Sequence, residues 1–321
     1  MAVRDYLRTR FMPHLWCPGC GHGIVLGSLL RAIEALGLAK NEIVMVSGIG
    51  CSSRITGYVD FHTLHTLHGR ALAFATGVKL ARPELTTIVP MGDGDALAIG
   101  GNHFIHAARR NIDITAIVMN NETYGMTGGQ FSPLSDCGVT ATTAPYGNID
   151  RPFDTVELAR SAGATYVART TTWHAQQMTR IFQEAIRHKG FAVVEVMSQC
   201  PTYYGRHNRL GDAVEMLKYL KAHALPLGRK EPGPGDFEIG VFVQEERPEY
   251  CEEYRRLEER ASARGVSLHG AGGSGELAGA VGSEASGDGS GSTRTGGPAG
   301  AGYGEEAGGP GVSPVAPVEE P

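Results

Sequence analysis

The chain has 321 residues, of which 41% are apolar and 20% charged, and a formal net charge of −5 at pH 7; such a chain can bury a sizeable core, as one large domain or two ordinary ones. No basic run interleaves with aromatic residues, which argues against a nucleic-acid protein. No apolar run approaches the roughly 18 residues of a membrane helix, and the opening MAVRDYLRTRF has no secretory core, so a cytoplasmic protein is expected.

In chain order, residues 22–37 carry apolar positions at three- and four-residue spacing and end at Gly37, which predicts a helix. Residues 42–47 (EIVMVS) read as a short buried strand. A helix is expected over 69–81, a strand over 86–91, a helix over 97–110 and a strand over 112–119. Further helices are expected over 154–162 and 172–189, and a strand over 191–197. The nearly continuous apolar strands suit burial on both faces. Strand and helix alternate, so the expected class is α/β, a mostly parallel sheet with helices on both faces. Residues 226–250, rich in Pro, Gly and charge, predict an extended arm, followed by a short charged helix over 247–262. From about 266 the chain is Gly-, Ser-, Ala- and Pro-rich and is expected to be disordered. That tail holds seven acidic residues and one arginine, leaving the remainder near about +1. The domain plan is thus 1–225, an arm with its helix over 226–265, and a tail over 266–321.

Two strand ends carry chemistry. Strand 86–91 runs into Gly92-Asp93-Gly94-Asp95, and strand 112–119 runs into Asn120-Asn121-Glu122-Thr123. Glycines at 92 and 94 permit close backbone approach to a diphosphate. Asp93, the Asn121 side-chain oxygen and the Thr123 carbonyl offer three hard oxygens, and Mg²⁺ fills the rest of its octahedron with phosphate oxygens and water. Alone, either segment reads as an ordinary turn; together, each behind a buried strand, they favour a magnesium-bridged diphosphate.

The six cysteines lie at 17, 20, 51, 137, 200 and 251, and in a reducing compartment clustered thiols bind metal more often than they pair. Cys17-Pro18-Gly19-Cys20 is a CxxC at the mouth of the first helix. Cys51 follows strand 42–47 and Cys200 follows strand 191–197. Four thiolates suit a 4Fe–4S cluster. A zinc site, a redox pair at Cys17 and Cys20, and plain buried thiols are the alternatives. Cys137 and Cys251 are expected to be incidental. His62, His65 and His68, spaced by three, suggest a metal site only if they lie on a helix or 3₁₀ turn; otherwise His62 and His65 are packing or surface residues. Arg54, three residues after Cys51, has the chemistry to clamp a carboxylate. The basic, aromatic stretch 203–209 is a candidate contact for a second subunit or an electron acceptor.

The succession CPGCGH, GIGCSS, GDGD, NNETYGMTGGQ and a late CPT resembles the beta subunit of 2-oxoacid:ferredoxin oxidoreductases, most like the 2-oxoglutarate branch, over most of residues 10–225 and as far as about 260. GDG followed by NN resembles the diphosphate motif of thiamine-diphosphate enzymes generally. The resemblance implies that Asp93, Asn121 and Thr123 hold Mg²⁺. It implies that Ile49, Gly50, Cys51, Ser52, Gly92, Gly94, Asp95, Tyr124 and Gly125 line thiamine diphosphate. It further implies that Cys17, Cys20, Cys51 and Cys200 ligate one 4Fe–4S cluster, that Arg54 faces the 2-oxoacid and that His68 is a polar contact. The implied activity is coenzyme A-dependent oxidative decarboxylation of a 2-oxoacid, with electrons passed to ferredoxin. The glutamate that thiamine enzymes place against the aminopyrimidine is expected from a larger alpha subunit, because this chain has room for one such α/β domain. A non-redox thiamine-dependent decarboxylase with a zinc site, pyruvate or a branched 2-oxoacid as substrate, and a non-catalytic electron-transfer subunit are the competing readings.

Overall fold

The computed structural model describes residues 2–228 and 232–264; the expected tail over 266–321 lies outside them. Helix α1 (His22–Leu36) buries Val25, Leu26, Leu29, Leu30 and Ile33 along one stripe, and Gly37 ends it at φ 68°, a left-handed conformation that suits glycine. There follow β1 (Ile43–Ser47), β2 (His62–His65), α2 (Ala71–Ala81), β3 (Thr86–Gly92), α3 (Gly101–Arg110) and β4 (Ile114–Asn120). A two-residue ribbon comes next, β5 (Thr123–Tyr124) with β6 (Gln130–Phe131). Then come α4 (Thr155–Ala162), β7 (Tyr166–Thr171), α5 (Ala175–Arg187), β8 (Phe191–Met197), α6 (Ala213–His223), β9 (Ala224–Pro226), β10 (Phe237–Gln244) and α7 (Tyr250–Ala263).

The main sheet has eight strands in the order β2-β1-β3-β4-β8-β7-β10-β9. Every pairing is parallel except β10 against β7. All seven residues of β4 and all five of β1 are buried, as expected of strands covered on both faces. Leu29, Leu30 and Ile33 of α1 and Met178, Ile181 and Phe182 of α5 share one core with Met45, Ile117 and Val194. On the other face Leu72, Phe104 and Val156, from α2, α3 and α4, join Val46, Val118 and Val193, and Cys251 of α7 packs there too.

The elements expected from sequence differ from the structure mainly where a segment is polar. β2 (HTLH) and β7 (YVARTT) have no continuous apolar run, and their partners in the sheet supply what local propensity lacks. Helix α6 carries a signal that the apolar reading passed over: Asp212 and Glu215 form a capping box, each side chain accepting from the other's backbone N–H. The residues read as an extended arm supply β10, which with β9, ending at Pro226 where that arm begins, completes one edge of the sheet. The first part of the expected helix 97–110 is a π-type turn, Gly94–Ala98, and the α-helix begins at Gly101. Among the described residues, no helix is long and apolar enough to cross a membrane.

Candidate active site

Parallel pairing of β1, β3, β4 and β8 sends four loops out at one edge of the sheet, in the spatial order 48–53, 93–98, 121–125 and 198–205. From β1 the chain moves outward to β2 and returns on the other side as β3. Such a reversal opens a crevice at the strand C-termini, where α/β sheets bind ligands.

A cavity of ≈ 180 Å³ fills that crevice. Ile49, Gly50, Cys51, Ser52, His68, Gly92, Asp93, Gly94, Asp95, Asn121, Thr123, Tyr124 and Gly125 all line it. Asp93 is 3% exposed; one oxygen accepts from the Gly94 N–H at 2.9 Å, the other from the Ser132 hydroxyl at 2.7 Å. Burial pushes its carboxyl up to about 6 despite these donors, so a cation beside it would be strongly favoured. Ser132 was not evident from sequence, since nothing local ties the loop before α4 to Asp93. A methyl group at Gly94 would lie 2.2 Å from Tyr124 Cζ, so this turn admits only glycine without displacing the ring.

Asp95 is a hub. It is 3% exposed, and its Oδ1 accepts from the Gly69 N–H at 2.7 Å and the Ile49 N–H at 3.3 Å. His68 Nδ1 lies 2.7 Å from the same oxygen, and the Ser53 hydroxyl donates to Oδ2 at 3.4 Å. This one carboxylate pins the loop after β1 and the loop before α2. His68 is therefore held by Asp95 with its ring edge-to-face against Tyr124, centroids 6.0 Å apart. The helical spacing considered for the histidines does not form: His62 and His65 lie on the edge strand β2, and His65 Nδ1 lies 3.4 Å from the Thr56 hydroxyl.

A second cavity, ≈ 170 Å³, adjoins the first and is lined by Cys17, Cys20, Cys51 and Cys200 together. The CxxC turn closes with Cys20 N–H donating to the Cys17 carbonyl at 3.0 Å. Gln199 draws that turn to the sheet edge. Its side chain donates to the Gly19 carbonyl at 3.0 Å, and its own carbonyl accepts from the Gly21 N–H at 3.2 Å. Trp16 Nε1 donates to the Cys51 carbonyl at 2.7 Å. A Cβ at Gly125 would lie 3.4 Å from Cys51 Sγ and 3.9 Å from Cys200 Sγ, so this glycine leaves both sulfurs room. Burial, reinforced by the neighbouring cysteines, pushes the Cys20 thiol up to about 12 and Cys51 up to about 11, and raises Cys200. Bound metal cations reverse that order by stabilising thiolates. Among the described residues no group of three or more His, Cys, Asp or Glu is arranged to hold a metal ion; the four thiols instead surround a cavity.

The two cavities share a wall made of His22, Cys51, Asn121, Gly125 and Met126. Arg54 lines the cysteine cavity and not the first one. His22, the last residue of CPGCGH, was not singled out from sequence. It is 1% exposed, its Nδ1 has no hydrogen-bond partner, and burial lowers it to about 4, so the ring is neutral. Tyr204, in the turn after Cys200, donates to the Glu122 carboxyl and so ties the cysteine loop to the Asn121–Thr123 turn. Burial pushes Glu122 up to about 8. Cys137 is exposed, and Cys251 is buried in α7 against the sheet; neither lines these cavities.

Residues 48–196 match the family model described as thiamine pyrophosphate enzyme, C-terminal TPP binding domain. The chain is 54% identical to the 2-oxoglutarate synthase subunit KorB of Archaeoglobus fulgidus, over 79% of this chain and 93% of that protein. It is 50% identical to the KorB subunit of Methanocaldococcus jannaschii, over 79% of this chain and 96% of that protein. Among solved structures it resembles the 2-oxoglutarate:ferredoxin oxidoreductase from Magnetococcus marinus with 2-oxoglutarate, coenzyme A and succinyl-CoA bound. That match has a TM-score of 0.74 and 34% identity, and covers 84% of this chain and 92% of that one. The chain belongs to the beta-subunit family of 2-oxoacid:ferredoxin oxidoreductases.

Proposed function

We propose that this chain is the thiamine-diphosphate-binding beta subunit of an enzyme that converts 2-oxoglutarate and coenzyme A to succinyl-CoA and carbon dioxide, passing electrons through a 4Fe–4S cluster to ferredoxin. The observation that carries this reading is the shared wall: Cys51, Gly125 and Asn121 belong at once to the diphosphate crevice and to the four-cysteine cavity. The names of its relatives support 2-oxoglutarate as the substrate.

The residues present fit both groups. Asp93 and Asn121 are buried oxygen donors at the mouths of adjacent strands, and with the Thr123 carbonyl they would hold Mg²⁺ on the diphosphate. Gly92 and Gly94 leave the backbone open beside them, and Ile49 to Ser52, Asp95, Tyr124 and Gly125 would line the rest of the cofactor. Cys17, Cys20, Cys51 and Cys200 would each give one sulfur to the cluster, whose size suits a four-thiol cavity better than a single zinc ion. When bound, thiamine diphosphate supplies the electron sink for decarboxylation and the cluster supplies one-electron storage.

The chain's own side chains then orient and exclude. Asp95 holds His68 against the crevice, where its free ring edge is a polar contact for the reacting groups. Arg54, exposed beside the cysteine cavity, is assigned to the 2-oxoacid carboxylate. No glutamate lines the first cavity among the described residues; the aminopyrimidine's glutamate would come from the alpha subunit. In domain terms, 1–225 is the cofactor domain, 226–265 the arm and helix that close it, and 266–321 the tail.

The test is to co-purify the chain with its alpha subunit and assay coenzyme A-dependent viologen reduction across several 2-oxoacids. 2-Oxoglutarate should give the highest kcat/KM, and the chain without its partner should be inactive. A higher kcat/KM with pyruvate, or turnover by the lone chain, would contradict the proposal.

A further inference from the structure

The turn that carries Asn121 and Thr123 is not relaxed. Glu122, between them, has φ 56°, a left-handed conformation that is strained for a residue with a Cβ unless its surroundings hold it. Three side chains hold it: the Ser135 hydroxyl donates to the Glu122 carbonyl at 2.5 Å, Tyr204 donates to the Glu122 carboxyl, and Asn120 takes the backbone N–H. Its Oδ1 accepts from the Glu122 N–H at 3.2 Å, closing the turn. An amide is almost symmetric in shape, so something must decide which end faces Glu122. Glu195 Oε1 decides it by accepting from Asn120 Nδ2 at 3.0 Å; a carboxylate only accepts, so the oxygen end of Asn120 is turned to the loop.

Glu195 is 1% exposed in the central strand β8. It faces Arg169 directly across the β7–β8 ladder and accepts from Arg169 Nε at 2.6 Å. The Thr155 hydroxyl at the start of α4 donates to the same Oε1 at 2.7 Å. Arg169 in turn donates to Asp154 at 2.9 Å and lies over the Phe242 ring of β10, 5.7 Å from its centroid. A buried ion pair contributes little net stability, because desolvation offsets the attraction. An ion pair in the middle of this sheet therefore calls for another role, and among the described residues Asn120 links it to the ligand loops.

We propose that Glu195, set by Arg169, is a positioning residue for the magnesium-binding turn, acting through the Asn120 amide. The proposal rests on Asp93, Asn121 and Thr123 being the magnesium ligands. It also gives strand β10 a part in the site, since Phe242 covers the guanidinium that fixes Glu195.

The test uses the complex with its alpha subunit, stripped of cofactor with chelator and then titrated with Mg²⁺ at fixed thiamine diphosphate. Cofactor retention is read by equilibrium dialysis. Glu195→Gln should raise the half-saturating Mg²⁺ concentration by about 10–100-fold, the usual effect of losing an outer-shell partner. At saturating Mg²⁺, kcat should recover. Asn120→Ser, which leaves the Arg169–Glu195 pair intact, should shift the Mg²⁺ dependence in the same direction if Glu195→Gln fails to fold. Thr155→Val removes a different hydrogen bond to the same oxygen; it should lower Tm yet leave the Mg²⁺ dependence unchanged. Wild-type Mg²⁺ dependence in Glu195→Gln or Asn120→Ser, or an equal shift in Thr155→Val, overturns the proposal. Asp93→Asn separates the two levels: if it abolishes retention while the others do nothing, only the positioning role fails. If Asp93→Asn itself retains the cofactor at wild-type Mg²⁺, the magnesium assignment fails.

Discussion

Replacing Gly48 with alanine puts a methyl carbon into a crowded polar spot of the site. It would sit 2.3 Å from Asp95 Oδ2, 2.5 Å from Oδ1 and 2.7 Å from Cγ. Comfortable carbon–carbon contact is about 3.5–4.0 Å, so the carboxylate must retreat by roughly 0.8 Å. Its bonds to His68 Nδ1 and the Gly69 N–H, both 2.7 Å, would then pass the useful hydrogen-bond range. Losing two charge-assisted bonds costs about 3–6 kcal/mol, a large part of the roughly 5–15 kcal/mol that a folded domain holds in total. For a chain of this size that lowers Tm by at least ~6 °C. Gly77→Ala is the matched control: Gly77 lies inside α2 with nothing within 4 Å of its would-be Cβ, and alanine there should be neutral or stabilising by up to about 1 kcal/mol. Thermal melts followed by circular dichroism compare the two. If Gly48→Ala melts within ~2 °C of the wild type, Asp95 is not the rigid hub described.

Cys51→Ala should remove iron and acid-labile sulfide together with the visible absorbance, while far-ultraviolet circular dichroism stays native; a variant with full iron content would exclude Cys51 as a ligand. Gly94→Ala should push the Tyr124 ring into the crevice and weaken thiamine diphosphate binding by about tenfold or more, consistent with an overpacking cost of about 1–3 kcal/mol; calorimetric titration that finds wild-type affinity would show that the ring moves elsewhere.

Much of this protein is written in short-range chemistry. Buried strands announce themselves as β-branched runs, because burial on both faces selects such residues whatever the neighbours are. The glycines and aspartates at 92–95 and the asparagines at 120–121 are local requirements of turns at strand ends, and CPGCGH is a turn opening a helix. The family resemblance rests on these segments. What the tertiary structure decided is adjacency. Strand order places the loops of β1, β3, β4 and β8 side by side, and Gln199 brings the CxxC turn across to them from a position about 180 residues distant in sequence. The Asp95 hub, the Ser132 bond to Asp93 and the Arg169–Glu195–Asn120 chain join residues 26 to 75 positions apart. A polar strand such as YVARTT is recognisable only once Arg169 meets Glu195 on the next strand. Local propensity acts over a few residues, whereas the sheet edge that gathers these side chains exists only when remote strands have paired.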